Sequence, residues 1–203
     1  MINHVDAAPL WIIRHGRPDV PANRWRVSRD EFNRYLEAYD LAGLGPAERD
    51  RLEAFYARYE KPDLVLTSDL PRAYETARLF ARGAEIEVHG LLREVPVLIP
   101  NRPGWFLANC WPTEVWWSYL RLAWFRGHQA EVPAASYRRA QTAIELLAEK
   151  FVPYRRIAVV SHSGFLLILV HHLHRQRLIA GQRWPSIDFG RPTPYQWLRQ
   201  PET

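Results

Sequence analysis

A single cysteine, Cys110, stands among the 203 residues. One thiol cannot close a disulfide within the chain, so a reducing compartment is the expectation. The N-terminal MINHVDAAPL lacks a basic segment followed by an apolar one, and no secretory signal is expected. No apolar run is long enough to predict a transmembrane segment. The longest in the C-terminal half, IAVVSHSGFLLILVHHL, is interrupted by Ser161, His162, Ser163 and Gly164. Internal repeats and low-complexity tracts are absent. No dense basic tract stands out either: 27 Lys and Arg against 22 Asp and Glu give a net charge of +5, with arginines scattered along the chain. That balance suits small anionic ligands and gives no indication of nucleic acid as a partner. These absences lead to the expectation of a cytoplasmic globular protein. With 47% hydrophobic and 24% charged residues, the chain has enough apolar material for one domain over 1–203.

What is present is an alternation of short apolar runs and amphipathic stretches. Pro9 to Ile13 reads as a buried strand. Ser28-Arg29-Asp30-Glu31 is a capping box, predicting a helix through about Tyr39 that stops near Gly43. Pro46 suits a first helical position, and a second helix is predicted to Tyr59. Leu64 to Ser68 is a short buried strand, Asp69 to Ala81 a helix, and IEVHG a third strand. Helices are predicted over Thr113–Phe125 and Tyr137–Phe151. Arg156 to Ser161 is the strongest strand signal, followed by a buried helix over Gly164–His174. TPYQWLR, near the end, reads as an edge strand, where proline is tolerated. Alternating strands and helices imply an α/β domain with a mostly parallel sheet, and such sheets bind ligands beyond the carboxyl ends of their strands.

That rule gives weight to what closes each strand. The first ends on Arg14-His15-Gly16. The second ends on Ser68 and leads to Arg72, about one helical turn on. The late strand ends on Ser161-His162-Ser163-Gly164. Each group alone can be a polar strand end meeting solvent. Brought to one sheet edge, they form a site for a tetrahedral oxyanion. Arginine grips phosphate oxygens with a planar fork, and a neutral imidazole beside fixed positive charge is a nucleophile.

The motifs IIRHG, TSDLPRAYETA, LLRE and VVSHSG, in this order, resemble the histidine phosphatase superfamily, the phosphoglycerate mutase-like fold. The resemblance covers most of the chain. It implies a three-layer α/β/α fold with a mostly parallel central sheet, and a small phosphatase acting through a phosphohistidine. His15 is then the nucleophile, and Arg14, Arg72 and His162 bind the phosphoryl group. Glu94 is the acid that protonates the leaving group, with Glu75 and Glu114 as fallbacks. Gly16 is expected to let backbone approach phosphate closely. Arg17 and Ser163 are further candidates for substrate or phosphate contact, and Ser163 and Gly164 are expected to offer N–H groups to the anion. Arg93 beside Glu94 is expected to lower its pKa mildly. No metal and no cofactor are implied. The partner is a small phosphorylated metabolite, and a homodimer is left open.

The chain departs from the family pattern in three places. Many members carry a threonine and an asparagine where this sequence has Pro18 and Pro21, and Arg17 is the candidate replacement for their hydrogen bonds. Ala134-Ala135-Ser136 stands where many small-molecule phosphatases carry Gly-Glu-Ser. A segment at about 96–133 is a lid or cap insertion with Trp105, Trp111, Trp116, Trp117 and Trp124. Its tryptophans can fill the core of a helical cap, cover the substrate, or face a partner. A mutase-type phosphotransferase and a weakly active binding protein are the alternative functions. His171, His172 and His174 read as cations near a helix end, favoured by the dipole, because no carboxylate or cysteine joins them at metal-ligand spacing.

Overall fold

Apolar residues alternate along the first strand, and the two sets face opposite ways. In the computed structural model of the protein, which describes residues 7–21, 26–96, 111–126 and 133–198, this strand is β1 (Ala7–Arg14). Leu10 and Ile12 join a core on one face of the sheet, and Trp11 and Ile13 join a core on the other. The element order continues α1 (Arg29–Leu41), α2 (Pro46–Tyr56), β2 (Leu64–Thr67), α3 (Pro71–Ala81) and β3 (Glu85–Val88). A 3₁₀ turn (Gly90–Leu92) precedes α4 (Thr113–Phe125) and α5 (Pro133–Lys150). Then come β4 (Ile157–Ser161), α6 (Ser163–Arg175), β5 (Ile179–Gly181) and β6 (Pro192–Leu198).

The six strands form one sheet in the order β3-β2-β4-β1-β6-β5. β3, β2, β4 and β1 are parallel, and β6 is antiparallel to both neighbours. β2 and β4 are buried at every position, as expected of central parallel strands covered on both sides. Helices α5 and α6 cover one face, through residues such as Ala143, Leu147, Phe165 and Leu169. α2 and α3 cover the other, through Leu52, Tyr56, Ala77 and Phe80. The predicted three-layer α/β/α architecture is therefore observed.

Two local features follow directly from residue chemistry. The capping box is intact: Glu31 N–H donates to the Ser28 hydroxyl at 3.3 Å, and Ser28 N–H donates to the Glu31 carboxylate at 2.9 Å. Asp69 does not cap α3, whose N-cap is Leu70; its carboxylate is engaged by Arg93 instead, at 2.6 and 2.5 Å.

β6 corrects the edge-strand expectation, because it lies between β1 and β5. Its prolines are tolerated for a different reason. β5 pairs only with Tyr195, Gln196 and Trp197, so Pro192 and Pro194 lie past its paired residues, where β1 is the one strand paired with them among the described residues.

A third cluster stands apart from the sheet. Val27, Phe32, Trp116 and Leu120 are buried together where α1 meets α4. Phe32 and Trp116 stack with centroids 5.5 Å apart, and the Trp116 indole N–H donates to the Val27 carbonyl at 3.0 Å. Trp116 thus fills the core of a helical cap, and α4 is held by a helix from much earlier in the chain. Trp105 lies outside the described residues, as do Cys110 and the side chain of Trp124.

Candidate active site

Sheet register decides which residues meet. Arg14 pairs with Ser161, and Thr67 with Val160, so three strands end at one level. Backbone hydrogen bonds carry the alignment past the ends: His15 N–H donates to the Ser161 carbonyl at 2.9 Å, and Ser68 N–H to the Val160 carbonyl at 3.1 Å. The consequence is the juxtaposition of two imidazoles remote in sequence. The rings of His15 and His162 have centroids 4.9 Å apart, and both residues are buried, at 2% and 0% exposure.

The hydrogen bonds of His15 fix its tautomer. Its Nδ1 lies 2.7 Å from the Gly16 carbonyl. A carbonyl only accepts, so Nδ1 carries the proton and neutral Nε2 keeps its lone pair. His162 Nε2 lies 3.0 Å from the Ser68 hydroxyl, which accepts from Leu70 N–H at 3.3 Å. Nδ1 of His162 is buried and has no partner among the described residues. Burial lowers the pKa of both histidines well below the ordinary value. The Arg72 guanidinium is the next cause for His15, with Arg14 adding to it; for His162 the neighbouring His15 comes before Arg72 and Arg14. Both rings are neutral at pH 7.

The arginines arrive from different elements. Arg14 ends β1; it donates to the Ile187 carbonyl at 2.6 Å, and its guanidinium sits 3.7 Å above the Phe189 ring. Arg72, on α3, is 1% exposed. It donates to the Tyr39 carbonyl at 2.7 Å and to the Asp40 carboxylate at 3.2 Å, while its buried Nε has no partner among the described residues. α1 has no basic residue in its last turn, so Arg72 supplies the cation at that helix end. It thereby joins the α1–α4 cap to the site. Tyr39 extends the link: its ring lies 4.5 Å from the Arg72 guanidinium carbon, 6.2 Å from His15 and 6.0 Å from Trp117.

Glu94 caps α6. Its carboxylate accepts from Val95 N–H and Phe165 N–H at 3.0 Å each and from Gly164 N–H at 3.3 Å. Burial raises its pKa, against the opposing pull of these N–H groups and Arg14. The expectation that Arg93 lowers it is corrected, because Arg93 turns to Asp69. The expectation for the start of α6 changes too: the Gly164 N–H is spent on Glu94. Ser163 is the first residue of α6 and is partly exposed. The fallback acids lie elsewhere. Glu75 accepts from Leu44 N–H and binds Arg49, and Glu114 is in the first turn of α4.

Gly16 also packs tightly against α2. A Cβ there would meet Leu52 of α2 at 2.6 Å and Leu44 at 2.9 Å. Arg17 is exposed, with its guanidinium carbon 5.6 Å from the Phe189 centroid. Three contributors carried no sequence signal: Tyr39, Phe189 and Arg139. Arg139 donates to the carbonyls of Leu91 and Arg93 at 2.9 and 2.6 Å, which clamps the segment that presents Glu94. Among the described residues, no group of three His, Cys, Asp or Glu could hold a metal ion. His171 stacks on Trp184, and His174 Nε2 lies 2.9 Å from the Gln182 carbonyl.

The comparison with known families decides the lineage: the histidine phosphatase superfamily (branch 1) matches residues 10–190. The chain belongs to the histidine phosphatase superfamily. Solved structures of the same fold include a mycobacterial glucosyl-3-phosphoglycerate phosphatase, 21% identical, with TM-score 0.56 over 83% of this chain and 80% of that one. An alpha-ribazole phosphatase from Shigella flexneri is 22% identical, with TM-score 0.55 over 94% of each chain. A phosphoserine phosphatase from Entamoeba histolytica, in complex with 3-phosphoglyceric acid, is 16% identical, with TM-score 0.54 over 82% of this chain and 80% of that one. No curated protein matches the sequence. No described helix of this superfamily member is long and apolar enough to cross a membrane.

Two neutral imidazoles buried together have a consequence for stability. In the unfolded chain each histidine takes a proton near pH 6.5; in the folded chain each resists it. Below about pH 6.5 the unfolded state therefore binds more protons, and stability falls as pH falls. The expected slope is up to about 2.7 kcal/mol per pH unit for the pair. Thermal melts from pH 7.5 to 5 should show it, and a His162→Asn variant should melt with a shallower pH dependence. An identical slope in that variant would remove the assignment.

Proposed function

We propose that this protein is a phosphomonoester hydrolase that acts through a phosphohistidine on His15, needs no metal, and works on a small phosphorylated metabolite. The observation that carries the reading is the His15 imidazole, with Nδ1 tied to the Gly16 carbonyl beside a second neutral imidazole and two guanidiniums. Nε2 attacks phosphorus as the bond to the leaving oxygen breaks. Glu94, whose pKa burial raises, gives its proton to that oxygen. Water then attacks the phosphohistidine and Glu94 takes a proton back, which returns His15 to its starting state.

Phosphoryl transfer asks mainly for positioning and charge neutralisation. Arg14 and Arg72 supply the fixed charge. The Ser68 hydroxyl, accepting from Leu70, gives its own proton to His162 Nε2. This leaves the His162 proton on the partnerless Nδ1, where it meets a phosphoryl oxygen. Buried Nε of Arg72 gains its partner the same way.

The experiment is a phosphate-release assay with two additions. EDTA is expected to leave the rate unchanged, because the cations are side chains. Vanadate, a mimic of five-coordinate phosphorus, is expected to inhibit competitively with substrate. Loss of activity in EDTA that a divalent ion restores would overturn the metal-free account.

A further inference from the structure

A groove of about 900 Å3 runs beside the proposed phosphate site, between the turn after β1, the start of α2 and the loop 182–191. The volume is far larger than a phosphoryl group needs and falls in the range of pockets that hold whole organic ligands. Arg14 and Phe189 belong to both places. On one side the Phe189 ring is 5.6 Å from the His15 ring. On the other it lines the groove with Ile187, which is 58% exposed, and with Pro46 and Ala47.

Two of the cations around the groove have partners of their own, and Arg14 also serves the proposed phosphate site. Arg14 donates to the Ile187 carbonyl. Arg51 is bound by the Glu48 carboxylate at 2.7 Å and donates to the Phe189 carbonyl at 3.0 Å. Arg17 and Asp19 stand exposed at the rim. The wall nearest His15 is the Phe189 ring with the Arg14 guanidinium stacked 3.7 Å above it, and Arg17, Asp19, Glu48, Arg51 and Asp188 supply the charged part of the lining.

That ring is held in place. Gly190 N–H donates to the Arg14 carbonyl at 2.9 Å and to the His15 carbonyl at 3.2 Å, and Tyr56 donates to the Gly190 carbonyl at 2.7 Å. Gly190 has φ +70°, and a Cβ there would meet Leu52 at 2.3 Å, so only glycine permits this latch. A fixed aromatic face needs no ordering when a ligand settles on it.

We infer that the groove holds the leaving group of the substrate and that Phe189 selects a flat unsaturated ring there: the substrate class is an aryl- or heteroaryl-bearing phosphomonoester. The inference rests on the phosphatase reading above. Stacking on a fixed phenyl ring confers a preference of roughly twofold to tenfold.

The test compares 2-phenylethyl phosphate with 2-cyclohexylethyl phosphate. The two leaving alcohols are alike in reactivity and bulk, so the comparison isolates flatness. The wild-type protein should favour the phenyl ester in kcat/KM by about fivefold, expressed mainly in KM. Phe189→Tyr should keep the preference, and Phe189→Leu should reduce it to less than about twofold. Hydrolysis of both esters that requires His15 but shows no preference in the wild-type protein overturns this inference and leaves the phosphatase reading standing. A preference unchanged in folded Phe189→Leu overturns it equally. Hydrolysis of neither ester removes both.

Discussion

Replacing His15 with alanine is expected to reduce phosphomonoester hydrolysis at least about 10⁴-fold, to the background of the assay. The size follows from the role. Among the described residues no other imidazole shares the geometry of His15: His162 has Nε2 turned to the Ser68 hydroxyl and is not set up to attack. Water would have to act directly on a phosphoryl group that the site can still bind. Binding should survive, because Arg14, Arg72 and His162 remain. Vanadate affinity should therefore fall far less than turnover, which separates loss of the nucleophile from loss of the site. The fold should also survive, since the change removes one hydrogen bond to the Gly16 carbonyl and leaves the cores of the sheet untouched. A second readout is direct. Rapid acid-free quenching with ³²P-labelled substrate should trap base-stable, acid-labile label on the wild-type chain and none on His15→Ala. Undiminished hydrolysis by the purified variant would remove the mechanism.

The route by which sequence led to this site has a physical explanation. Strands announce themselves when they are apolar up to their last residue, and β2 (LVLT) and β4 (IAVVS) are. Their ends then locate Ser68 and His162, and β1 locates Arg14 and His15. Parallel register does the rest, because strands of one sheet ending at one level must gather their last residues. Arg72 was legible for a second local reason, its place in the first turn of a helix that follows β2. What stayed hidden depends on contacts between distant segments. β5 is three residues long and leaves no periodic signal. Arg14 meets Ile187 and Phe189, and Arg72 meets Tyr39; nothing in the local pattern of any of these residues marks it. Gly16 was read as making room for phosphate; its close neighbour Leu52, on a helix packed from the far side, left no local signal. Arg93 was read with its sequence neighbour Glu94, yet its planar fork found the better-placed Asp69. The Trp-rich segment shows the same limit: Trp116 is core because α1 brings Phe32 against it.

Glu94→Gln should slow the hydrolysis of alkyl phosphates by about 10² to 10⁴, and the loss should depend on the leaving group. An alkoxide cannot depart without a proton, so an alkyl ester feels the whole effect. p-Nitrophenolate leaves without help, so phosphorylation of His15 by p-nitrophenyl phosphate should be nearly unaffected. The second step still lacks its base. The variant should then release a burst of p-nitrophenolate stoichiometric with enzyme, followed by slow turnover as phosphohistidine accumulates. The pH profile gives an independent check. Activity requires Glu94 protonated, a form lost as pH rises through its pKa, which burial places above the ordinary carboxylate value. It also requires His15 neutral, a form lost as pH falls through a pKa held well below 6.5. The kcat/KM profile for an alkyl ester should be a bell whose alkaline limb belongs to Glu94 and whose acid limb belongs to His15. Glutamine does not titrate, so Glu94→Gln should lose the alkaline limb and keep the acid one. The N–H groups of Gly164, Phe165 and Val95 hold the carboxylate at the head of α6, and the glutamine carbonyl can satisfy part of that set, so the position of the side chain is retained while its proton is not. An alkaline limb that persists unchanged in Glu94→Gln would transfer the acid role to another group and leave Glu94 as the cap of α6.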